Sequence, residues 1–446
     1  MSASSLSSAI PPSSPTRAIR RARSLGGVLS VPGDKSISHR SMILNAIAQG
    51  DALVQGLSSG EDVMSTMHCL QAMGVSIEPA GGPGSYTVKG RGPQLAEPSD
   101  ILDAGNSGTS MRLLSGILAA QPFMSVITGD RYLRERPMLR IVQPLKQMGA
   151  QIMGRRDDSL APLVVRGGSL KGIEYDLPMA SAQVKSAIML AGLCAQGETI
   201  IHQPALSRDH TERMVSAMGG LVEENGLDLS IQPAMLNAVD ITVPGDISSA
   251  AFWMVAALCH SDSRVLIRGV GLNPSRTGIV DVLQEMSSGG GIELLDQRVE
   301  GGEPVADILV TPAELHGVEI GGDMIPRLLD EIPVLAVAAC FASGDTVVRD
   351  AAELRVKESD RIATTVEQLT RLGADIEARD DGMVIHGTGR LTGAECESHG
   401  DHRLAMSMAI AGLLADGETT VHGAADASVS YPQFWQDLDL LLEDVR

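Results

Sequence analysis

The chain is 446 residues long, carries a formal net charge of −20 and has only 2% aromatic residues. Nucleic-acid binding calls for basic surfaces and aromatic stacking groups, so this composition argues against a nucleic-acid partner. No apolar run is long enough to cross a bilayer, and the five cysteines lack the spacing of metal ligands. We therefore expect no membrane partner, no metal and a cytoplasmic location.

The N-terminal segment, residues 1–24, is rich in Ser, Pro, Ala and Arg and contains no acidic residue. Such a composition predicts a disordered tail. A similar Ser and Arg bias is found in organelle-targeting segments, but this segment is short and has little amphipathic pattern. We therefore place the start of the folded chain near Leu25.

The segment Val31–Arg40 reads VPGDKSISHR and concentrates basic and hydroxyl-bearing side chains in an otherwise acidic chain. A turn leads directly into Lys35, Ser36 and Arg40, which predicts a pocket for a small anion. The tetrapeptide VPGD recurs at Val243–Asp246. Two copies of one turn suggest a duplicated architecture with a site between its halves.

A short sequence phrase occurs six times along the body of the chain. In each copy a predicted helix end is followed by a turn and a β-rich stretch. The copies lie at 48–56, 120–129, 195–202, 260–269, 342–349 and 415–422. A spacing of roughly seventy residues is typical of a repeated supersecondary unit. Amphipathic stretches between these copies end in glycine, for example at Gly74 and Gly149, as helices commonly do.

The repeats and the two VPGD tetrapeptides together predict a domain organisation. Three copies lie between the tetrapeptides and three follow the second one. The chain would thus leave one domain at the first tetrapeptide and return to it at the second. We predict a discontinuous domain over 25–33 plus 246–446 and a second domain over 34–245, with crossovers near 31–34 and 243–246.

A further motif places candidate ligand groups at the start of a predicted helix. Gly105–Arg112 reads GNSGTSMR ahead of apolar residues, and a glycine turn at a helix N-terminus favours an anion. An ordinary capped helix would show the same pattern. Arginine, which suits carboxylate and phosphate, is nevertheless frequent just downstream, at Arg131, Arg134, Arg136 and Arg140.

Two more helix starts carry polar groups. On a helix over 179–186, Ser181 and Lys185 would lie four residues apart on one face. Their spacing differs from that of serine–lysine nucleophiles, so polar ligand binding is favoured over acyl transfer. Later in the chain, His402 and Arg403 lie at another predicted helix start.

The motif RVKESDR at Arg355–Arg361 is a dense run of charge. On a helix, Lys357 and Arg361 would lie on one face, with Glu358 next to Lys357 and three residues from Arg361. A solvated charged helix surface is the alternative interpretation.

Together these motifs resemble those of the 5-enolpyruvylshikimate-3-phosphate synthase family. The resemblance extends from about residue 25 to residue 435. It rests on GDKSISHR at 33–40, GNSGTSMR at 105–112, RPM at 136–138, SAQVK at 181–185, RDHTE at 208–212, RVKESDR at 355–361 and DHR at 401–403. The SAQVK and RDHTE stretches are similar to the second class of the family, which includes glyphosate-tolerant members.

The resemblance implies an α/β (α+β) fold, a two-domain inside-out α/β barrel of six βαβαββ units, three per domain. It implies transfer of the enolpyruvyl group of phosphoenolpyruvate to the 5-hydroxyl of shikimate 3-phosphate. The reaction would pass through a tetrahedral intermediate, release phosphate and use no cofactor, as part of aromatic amino-acid biosynthesis. Glyphosate would be an inhibitor, and the chain would act as a monomer.

The resemblance also implies roles for individual residues. Asp330 would be the base, Glu358 would protonate the methylene carbon and Lys35 would be a catalytic partner. Binding of shikimate 3-phosphate would involve Lys35, Ser36, Arg40, Ser181, Ala182, Gln183, Arg208, Asp330 and Lys357. Binding of phosphoenolpyruvate would involve Lys35, Gly108, Arg136, Gln183, Arg361 and Arg403.

Two departures and one alternative bear on this assignment. The class signature Asn-x-Thr-Arg is replaced by NPSR at Asn273–Arg276, and no lysine precedes the Tyr-Pro pair at 431–432. The alternative is the sister enzyme that enolpyruvylates UDP-N-acetylglucosamine, which has a loop cysteine and an Asn after the active-site Lys. Here Ser36 follows Lys35 and residues 103–140 contain no cysteine. A non-catalytic anion-binding module is disfavoured by the acidic charge of the chain and by the pair of candidate catalytic carboxylates.

Overall fold

The computed structural model describes residues 15–443, and no helix in this range is long and apolar enough to cross a membrane. The α-helices are α1 (Lys35–Ala46), α2 (Glu61–Ala72), α3 (Gly108–Ala119), α4 (Leu139–Gln147), α5 (Arg155–Asp158), α6 (Ala182–Gly192), α7 (His210–Ala217), α8 (Ile247–Cys259), α9 (Gly278–Met286), α10 (Ile325–Leu328), α11 (Ile332–Cys340), α12 (Arg361–Arg371), α13 (His402–Leu414) and α14 (Phe434–Glu443). Short 3-10 helices lie at Leu133–Glu135, Gly322–Met324, Leu329–Glu331, Ala352–Val356 and Ala424–Val429.

The strands lie mostly between these helices. They are β1 (Arg17–Arg20), β2 (Leu25–Ser30), β3 (Asp51–Gln55), β4 (Ser76–Pro79), β5 (Tyr86–Lys89), β6 (Leu102–Asp103), β7 (Met124–Thr128), β8 (Gln151–Gly154), β9 (Leu160–Arg166), β10 (Glu174–Asp176), β11 (Thr199–His202), β12 (Val222–Asn225), β13 (Asp228–Ile231), β14 (Ile241–Thr242), β15 (Ser263–Gly271), β16 (Ile292–Glu300), β17 (Glu303–Val310), β18 (Glu319–Ile320), β19 (Gly344–Val348), β20 (Asp375–Arg379), β21 (Gly382–Gly387), β22 (Glu395–Glu397) and β23 (Glu418–His422).

Within residues 15–443 the strands form six sheets, and each repeated phrase supplies one strand to a different sheet. In each sheet this strand pairs parallel with one neighbour and antiparallel with another. The antiparallel neighbour is usually one strand of a hairpin, as β5 is of the β4–β5 pair. The sheet of β22 and β23 differs because β1 pairs with β23 in place of a hairpin. The predicted repeat of six similar units is therefore confirmed.

Strand β1 lies inside the segment that was predicted to be disordered. Its residues pair antiparallel with β23, the side chain of Ile19 is buried, and Arg20 Nε donates to Glu418 Oε2 at 2.8 Å. The prediction of disorder is therefore wrong for this part of the segment, because the chain gains sheet hydrogen bonds and burial that composition does not reveal. For residues 1–14 the prediction lies outside the described residues.

The buried apolar side chains of the described chain form two separate cores. One core combines 19–31 with 247–441, and the other extends over 37–243. In the first core α11 and α13 are buried along their whole length. On this basis we propose that the two cores are the two domains predicted from the sequence.

Side-chain caps determine where the helices nearest the candidate site begin. The capping residues are Asp34 for α1, Ser107 for α3, Ser181 for α6, Asp360 for α12 and Asp401 for α13. Each cap accepts a hydrogen bond from a backbone N–H of the first turn, which would otherwise have no partner within the helix. The first residues of α1, α3 and α6 line the cavity between the two cores. Helix N-termini there favour negative charge.

Candidate active site

A cavity of about 370 Å³ lies between the two cores, and we call it the cleft. Residues from both cores line it. The cationic side chains at its wall are Lys35, Arg40, Arg112, Arg136, Arg140, Arg208 and Lys357. The carboxylates at its wall are Asp62, Asp330, Asp350, Glu353 and Glu358. The other predicted residues at the wall are Ser36, Gly108, Ser181, Ala182 and Gln183.

Two predicted residues, Arg361 and Arg403, lie behind the wall. Arg361 is 1% exposed, and it interacts with the cleft indirectly, by pairing with Asp330 and Glu358 of the wall. Arg403 is 5% exposed, and its charge helps to lower the pKa of Asp330. The structure thus brings all the predicted site residues to the wall of one cavity or directly behind it.

Lys35 is the first residue of α1 and points into the cleft. Its Nζ donates to Asp62 Oδ2 at 2.9 Å, and Asp62 is 6% exposed. The other carboxylate oxygen of Asp62 has no partner among the described residues. Sequence reasoning missed Asp62, because an acidic residue in the first turn of a helix is common and carries no functional signal by itself.

Arg40 lies one turn further along α1 and is almost completely buried. Its Nε donates to Thr211 Oγ1 at 2.6 Å, Nη2 to Ser186 Oγ at 2.8 Å and Nη1 to the carbonyl of Ser36 at 2.9 Å. Burial lowers the pKa of Arg40 to about 10. All three guanidinium nitrogens have partners, so Arg40 holds Ser36 in place while its positive charge lies beside the cleft.

Three arginines lie close together at the cleft near the start of α3. Arg112 Nη1 donates to Gln183 Oε1 at 2.5 Å, and Arg136 Nη2 donates to Asn106 Oδ1 at 2.5 Å. Burial, together with Arg140 and Arg136, lowers the pKa of Arg112 to about 9. The Nε groups of all three arginines are buried without a hydrogen-bond partner among the described residues. Buried cations that repel one another in this way are suited to binding an anion.

Asp330 and Glu358 are held by cations that come from both cores. Arg208 Nη2 lies 2.7 Å from Asp330 Oδ2, and Arg361 Nη1 lies 3.1 Å from Asp330 Oδ1. Arg361 Nη2 lies 2.7 Å from Glu358 Oε2, and Arg136 Nη1 lies 3.4 Å from Glu358 Oε1. A single buried guanidinium, that of Arg361, therefore joins the two candidate catalytic carboxylates.

Burial and neighbouring cations have opposite effects on the pKa of each of these carboxyls. Burial raises the pKa of both Asp330 and Glu358 and would favour the neutral acid. The cations that nevertheless hold the pKa of Asp330 well below its usual range are Lys357, Arg208, Arg403 and Arg361. The cations that do so for Glu358 are Arg361, Arg136 and Lys35. In the free protein both groups are thus carboxylates.

The structure corrects two helical interpretations of the sequence. Lys185 does not share a ligand-binding face with Ser181, because its Nζ forms a buried ion pair with Glu212 at 2.5 Å. The motif Arg355–Arg361 is not a single helix either. A 3-10 helix ends before Lys357, whose backbone is extended, and α12 begins only at Arg361. This break places Lys357 Nζ 3.8 Å from Asp330 Oδ1.

His402, the first residue of α13, is buried and neutral. Burial, together with the charge of Lys35, lowers its pKa to about 3. Neither of its ring nitrogens has a hydrogen-bond partner among the described residues. The ring is close enough to Glu358 for the two groups to influence each other. A neutral imidazole without partners can donate to or accept from a ligand.

The sequence is similar to a family of enzymes along almost its whole length. The sequence profile described as EPSP synthase (3-phosphoshikimate 1-carboxyvinyltransferase) matches residues 19–438. A 3-phosphoshikimate 1-carboxyvinyltransferase from Brevibacillus brevis is 53% identical over 418 residues, which cover 93% of this chain and 97% of the relative. An enzyme of the same name from Gloeobacter violaceus is 55% identical over 423 residues, covering 94% and 97%.

Solved structures show the same likeness. An EPSP synthase from Acinetobacter baumannii superposes with a TM-score of 0.85 at 45% identity, covering 96% of this chain and 98% of the other. The enolpyruvyl transferase NikO from Streptomyces tendae superposes with a TM-score of 0.76 at 19% identity, a likeness that concerns the fold alone. The predicted α/β fold is thereby confirmed. The chain belongs to the EPSP synthase family, the 3-phosphoshikimate 1-carboxyvinyltransferases.

Proposed function

We propose that the cleft binds shikimate 3-phosphate and phosphoenolpyruvate side by side and joins them by enolpyruvyl transfer. The observation that carries this proposal is the array of cations from both cores around two ionised carboxylates, Asp330 and Glu358. The substrates bring two phosphates and two carboxylates into one cavity. Unit charges about 4 Å apart repel each other by about 4 kcal/mol at an effective dielectric constant of 20. The cations at the wall offset this repulsion.

Shikimate 3-phosphate is assigned to the side of the cleft formed by α6 and the segment before α7. The groups assigned to its anions and hydroxyls are Lys35, Ser36, Arg40, Ser181, Ala182, Gln183, Arg208 and Lys357. Ser181 and Gln183 lie at the N-terminal end of α6, where the helix dipole favours a phosphate. Arg40 contributes its charge and keeps Ser36 in position, since three of its five N–H groups already donate to Thr211, Ser36 and Ser186.

Phosphoenolpyruvate is assigned to the side formed by the start of α3 and the arginines around it. The groups assigned to it are Lys35, Gly108, Arg136, Gln183, Arg361 and Arg403. Gly108 lacks a side chain, so the backbone at the first turn of α3 can approach a phosphate. Arg112 and Arg140, which had no assigned role, add positive charge to the same wall.

The chemistry begins at the 5-hydroxyl of shikimate 3-phosphate. Asp330 accepts the hydroxyl proton while the oxygen bonds to C2 of phosphoenolpyruvate, and Glu358 delivers a proton to the C3 methylene carbon. The product of this addition is a tetrahedral intermediate. Glu358 then removes a methyl proton as the C–O bond to phosphate breaks, which restores the double bond. Lys35 lies near both substrates and stabilises the negative charge on the departing phosphate.

Substrate binding changes the proton affinity of both carboxylates in the required direction. In the free protein Glu358 is ionised and cannot donate a proton. Bound phosphate and carboxylate groups offset the charges of Arg361 and Arg136, and the pKa of Glu358 therefore rises. Substrate anions that pair with Arg208 offset its charge in the same way, so the pKa of Asp330 also rises and Asp330 becomes a stronger base. The chain would thus become competent for catalysis only when both anions are bound.

Phosphate release from phosphoenolpyruvate provides the direct test. We expect release that depends on shikimate 3-phosphate and is absent with UDP-N-acetylglucosamine as acceptor. A signal with the nucleotide sugar, or none with shikimate 3-phosphate under conditions where the chain is folded, would contradict the proposal. Mass spectrometry of the product shows whether one enolpyruvyl group has been added per released phosphate.

Three further parts of the proposal concern inhibition, assembly and location. Glyphosate would compete for the phosphoenolpyruvate side of the cleft, where Gly108 leaves room for it. The groups assigned to the cleft come from one chain, which favours a functional monomer. The cysteines Cys69, Cys194, Cys259, Cys340 and Cys396 are free thiols, as expected in a reducing compartment such as the cytoplasm.

A further inference from the structure

Arg276 lies behind the cleft, at the place where the chain crosses between the two cores. It is 2% exposed and closes the NPSR segment that departs from the family signature. Its Nη1 donates to Asp34 Oδ2 at 2.9 Å, and its Nη2 lies 3.1 Å from Asp246 Oδ1. These two carboxylates end the two VPGD tetrapeptides. A single guanidinium thus binds both crossovers.

The two crossovers also bind each other through the backbone. The N–H of Asp34 donates to the carbonyl of Pro244 at 2.7 Å, and the N–H of Asp246 donates to the carbonyl of Pro32 at 2.8 Å. These reciprocal hydrogen bonds place the two aspartates side by side. Two adjacent buried carboxylates repel each other, so a cation between them is needed to stabilise the arrangement.

Each aspartate uses its second oxygen to hold the first turn of α1. Asp34 Oδ1 accepts from the N–H of Ile37 at 2.8 Å, and Asp246 Oδ2 accepts from the N–H of Lys35 at 3.2 Å. Both carboxylates therefore have one oxygen on Arg276 and one on the turn that carries Lys35. Movement of the guanidinium would be transmitted to Lys35 through both aspartates.

A second set of contacts leads from Arg276 to the turn of Asp330. Arg276 Nη2 donates to Ser248 Oγ at 2.7 Å, and the hydroxyl of Ser248 donates to Glu331 Oε1. Ser248 and Glu331 are each 1% exposed. Glu331 follows Asp330 directly in a 3-10 helix. Arg276 is thus connected through short buried contacts to the segments that carry Lys35 and Asp330.

We propose that Arg276 is a positioning residue that sets the separation of Lys35 and Asp330 across the two crossovers. It is absent from the cleft wall and acts only through Asp34, Asp246 and Ser248. A lysine could not replace it, because one ammonium group lacks the planar fork that serves two carboxylates and a hydroxyl together. The inference depends on the proposed function, in which Lys35 and Asp330 share one reaction.

The test compares Arg276→Lys with Arg327→Lys, a matched control at the same loop. Arg327 Nε donates to the carbonyl of Pro274 at 2.9 Å, and its Nη2 lies 2.6 Å from Asp281 Oδ2. It therefore supports the loop of Arg276 without touching either crossover aspartate. We expect Arg276→Lys to lower kcat by roughly 30- to 100-fold per folded molecule, with both KM values within about threefold of the wild type. The control should stay within about threefold in all three constants.

A substrate-free measurement separates this inference from the proposed function. Hydrogen exchange should accelerate in Arg276→Lys at the amides of residues 35–38 and 329–332, and it should be unchanged there in the control. If the wild type shows no transferase activity, exchange still tests the positioning role. Unchanged exchange at both segments would overturn that role whatever the activity.

The energetic coupling between Arg276 and Asp246 provides a second check. Asp246→Asn keeps the shape of the side chain but removes the charge that faces Arg276. If the two residues act as a unit, the double variant loses no more kcat than the worse single variant. Independent, multiplicative losses, or equal kcat losses in Arg276→Lys and the Arg327→Lys control, would overturn the proposal.

Discussion

Glu358 and Glu353 form a matched pair on the wall of the cleft. Each contacts an arginine of the opposite core: Glu358 Oε1 lies 3.4 Å from Arg136 Nη1, and Glu353 Oε1 lies 3.5 Å from Arg140 Nη1. Only Glu358 is assigned a proton-transfer role. Replacing each with glutamine removes one negative charge and keeps the shape of the side chain, so the comparison separates chemistry from electrostatics.

The structural cost of Glu358→Gln should be small. Breaking a buried ion pair can cost 3–5 kcal/mol when the remaining charge has no other partner. Here Arg361 keeps Asp401 at 2.8 Å and Asp330 at 3.1 Å. We therefore expect the free energy of unfolding to fall by about 1 kcal/mol or less, which is too little to unfold the enzyme at 25 °C.

The catalytic cost of Glu358→Gln should be much larger. A positioned general acid or base contributes about 10²–10⁴ to the rate, which corresponds to roughly 3–5 kcal/mol of activation free energy. Glutamine cannot carry the proton, so kcat should fall by this factor. The KM of shikimate 3-phosphate should change by less than about threefold, because no contact to it is lost. In Glu353→Gln, kcat should remain within about tenfold of the wild type.

Steady-state release of phosphate measures kcat and KM, and unfolding measured in parallel gives the loss of folding free energy. A kcat of Glu358→Gln within tenfold of the wild type would refute the assigned proton transfer. Equal losses of kcat in the two variants would also refute it, because the effect would then belong to the charge of the wall and not to one proton carrier.

Three other predictions concern the base, the inhibitor and acid stability. Asp330→Asn should retain binding of shikimate 3-phosphate by calorimetry and lose at least about 10² in kcat; near wild-type turnover would remove its role as base. In Gly108→Ala the added Cβ would lie 2.9 Å from Arg112 Nη1 and 3.2 Å from Arg136 Nη1. These guanidinium ends must shift by a few tenths of an ångström, and the methyl group also reduces the room that Gly108 is proposed to leave for glyphosate. The glyphosate inhibition constant should therefore rise more than the phosphoenolpyruvate KM, and equal shifts would reject this steric account. Burial lowers the pKa of His39 to about 3 from its usual 6.5, so the unfolded chain binds the extra proton between these values. Its contribution to stability is complete above pH 6.5 and is lost as the pH falls toward 3, by about 1.4 kcal/mol per pH unit. His39→Gln should therefore reduce the pH dependence of urea unfolding between pH 6 and pH 4, and an unchanged dependence would contradict this.

Local patterns predicted the repeated units because each unit contains its own signals. Gly74 and Gly149 end helices with φ values of 81° and 114°, a left-handed backbone that favours glycine. Asp34 and Asp401 cap the helices whose starts were inferred from short motifs. These signals act over a few residues, so the chain sequence displays them directly.

Helical spacing was a poor guide wherever a tertiary contact competed with it. The segment before Arg361 leaves the helical conformation, which lets Lys357 approach Asp330. Lys185 lies on the predicted helix, but its ammonium turns to the buried carboxylate of Glu212. A charged side chain leaves the face assigned by periodicity when burial gives it a stronger partner.

The sequence by itself determined the six-fold repeat, and it predicted the two VPGD crossovers and most of the cations and carboxylates that lie at the cleft. Only the tertiary structure decided which of these charges meet. Lys35 pairs with Asp62, for which the sequence offers no signal, and Arg276 joins two aspartates far apart in the chain. The physical reason is that pairing and burial depend on distances between remote segments, and these distances exist only after the two cores have packed.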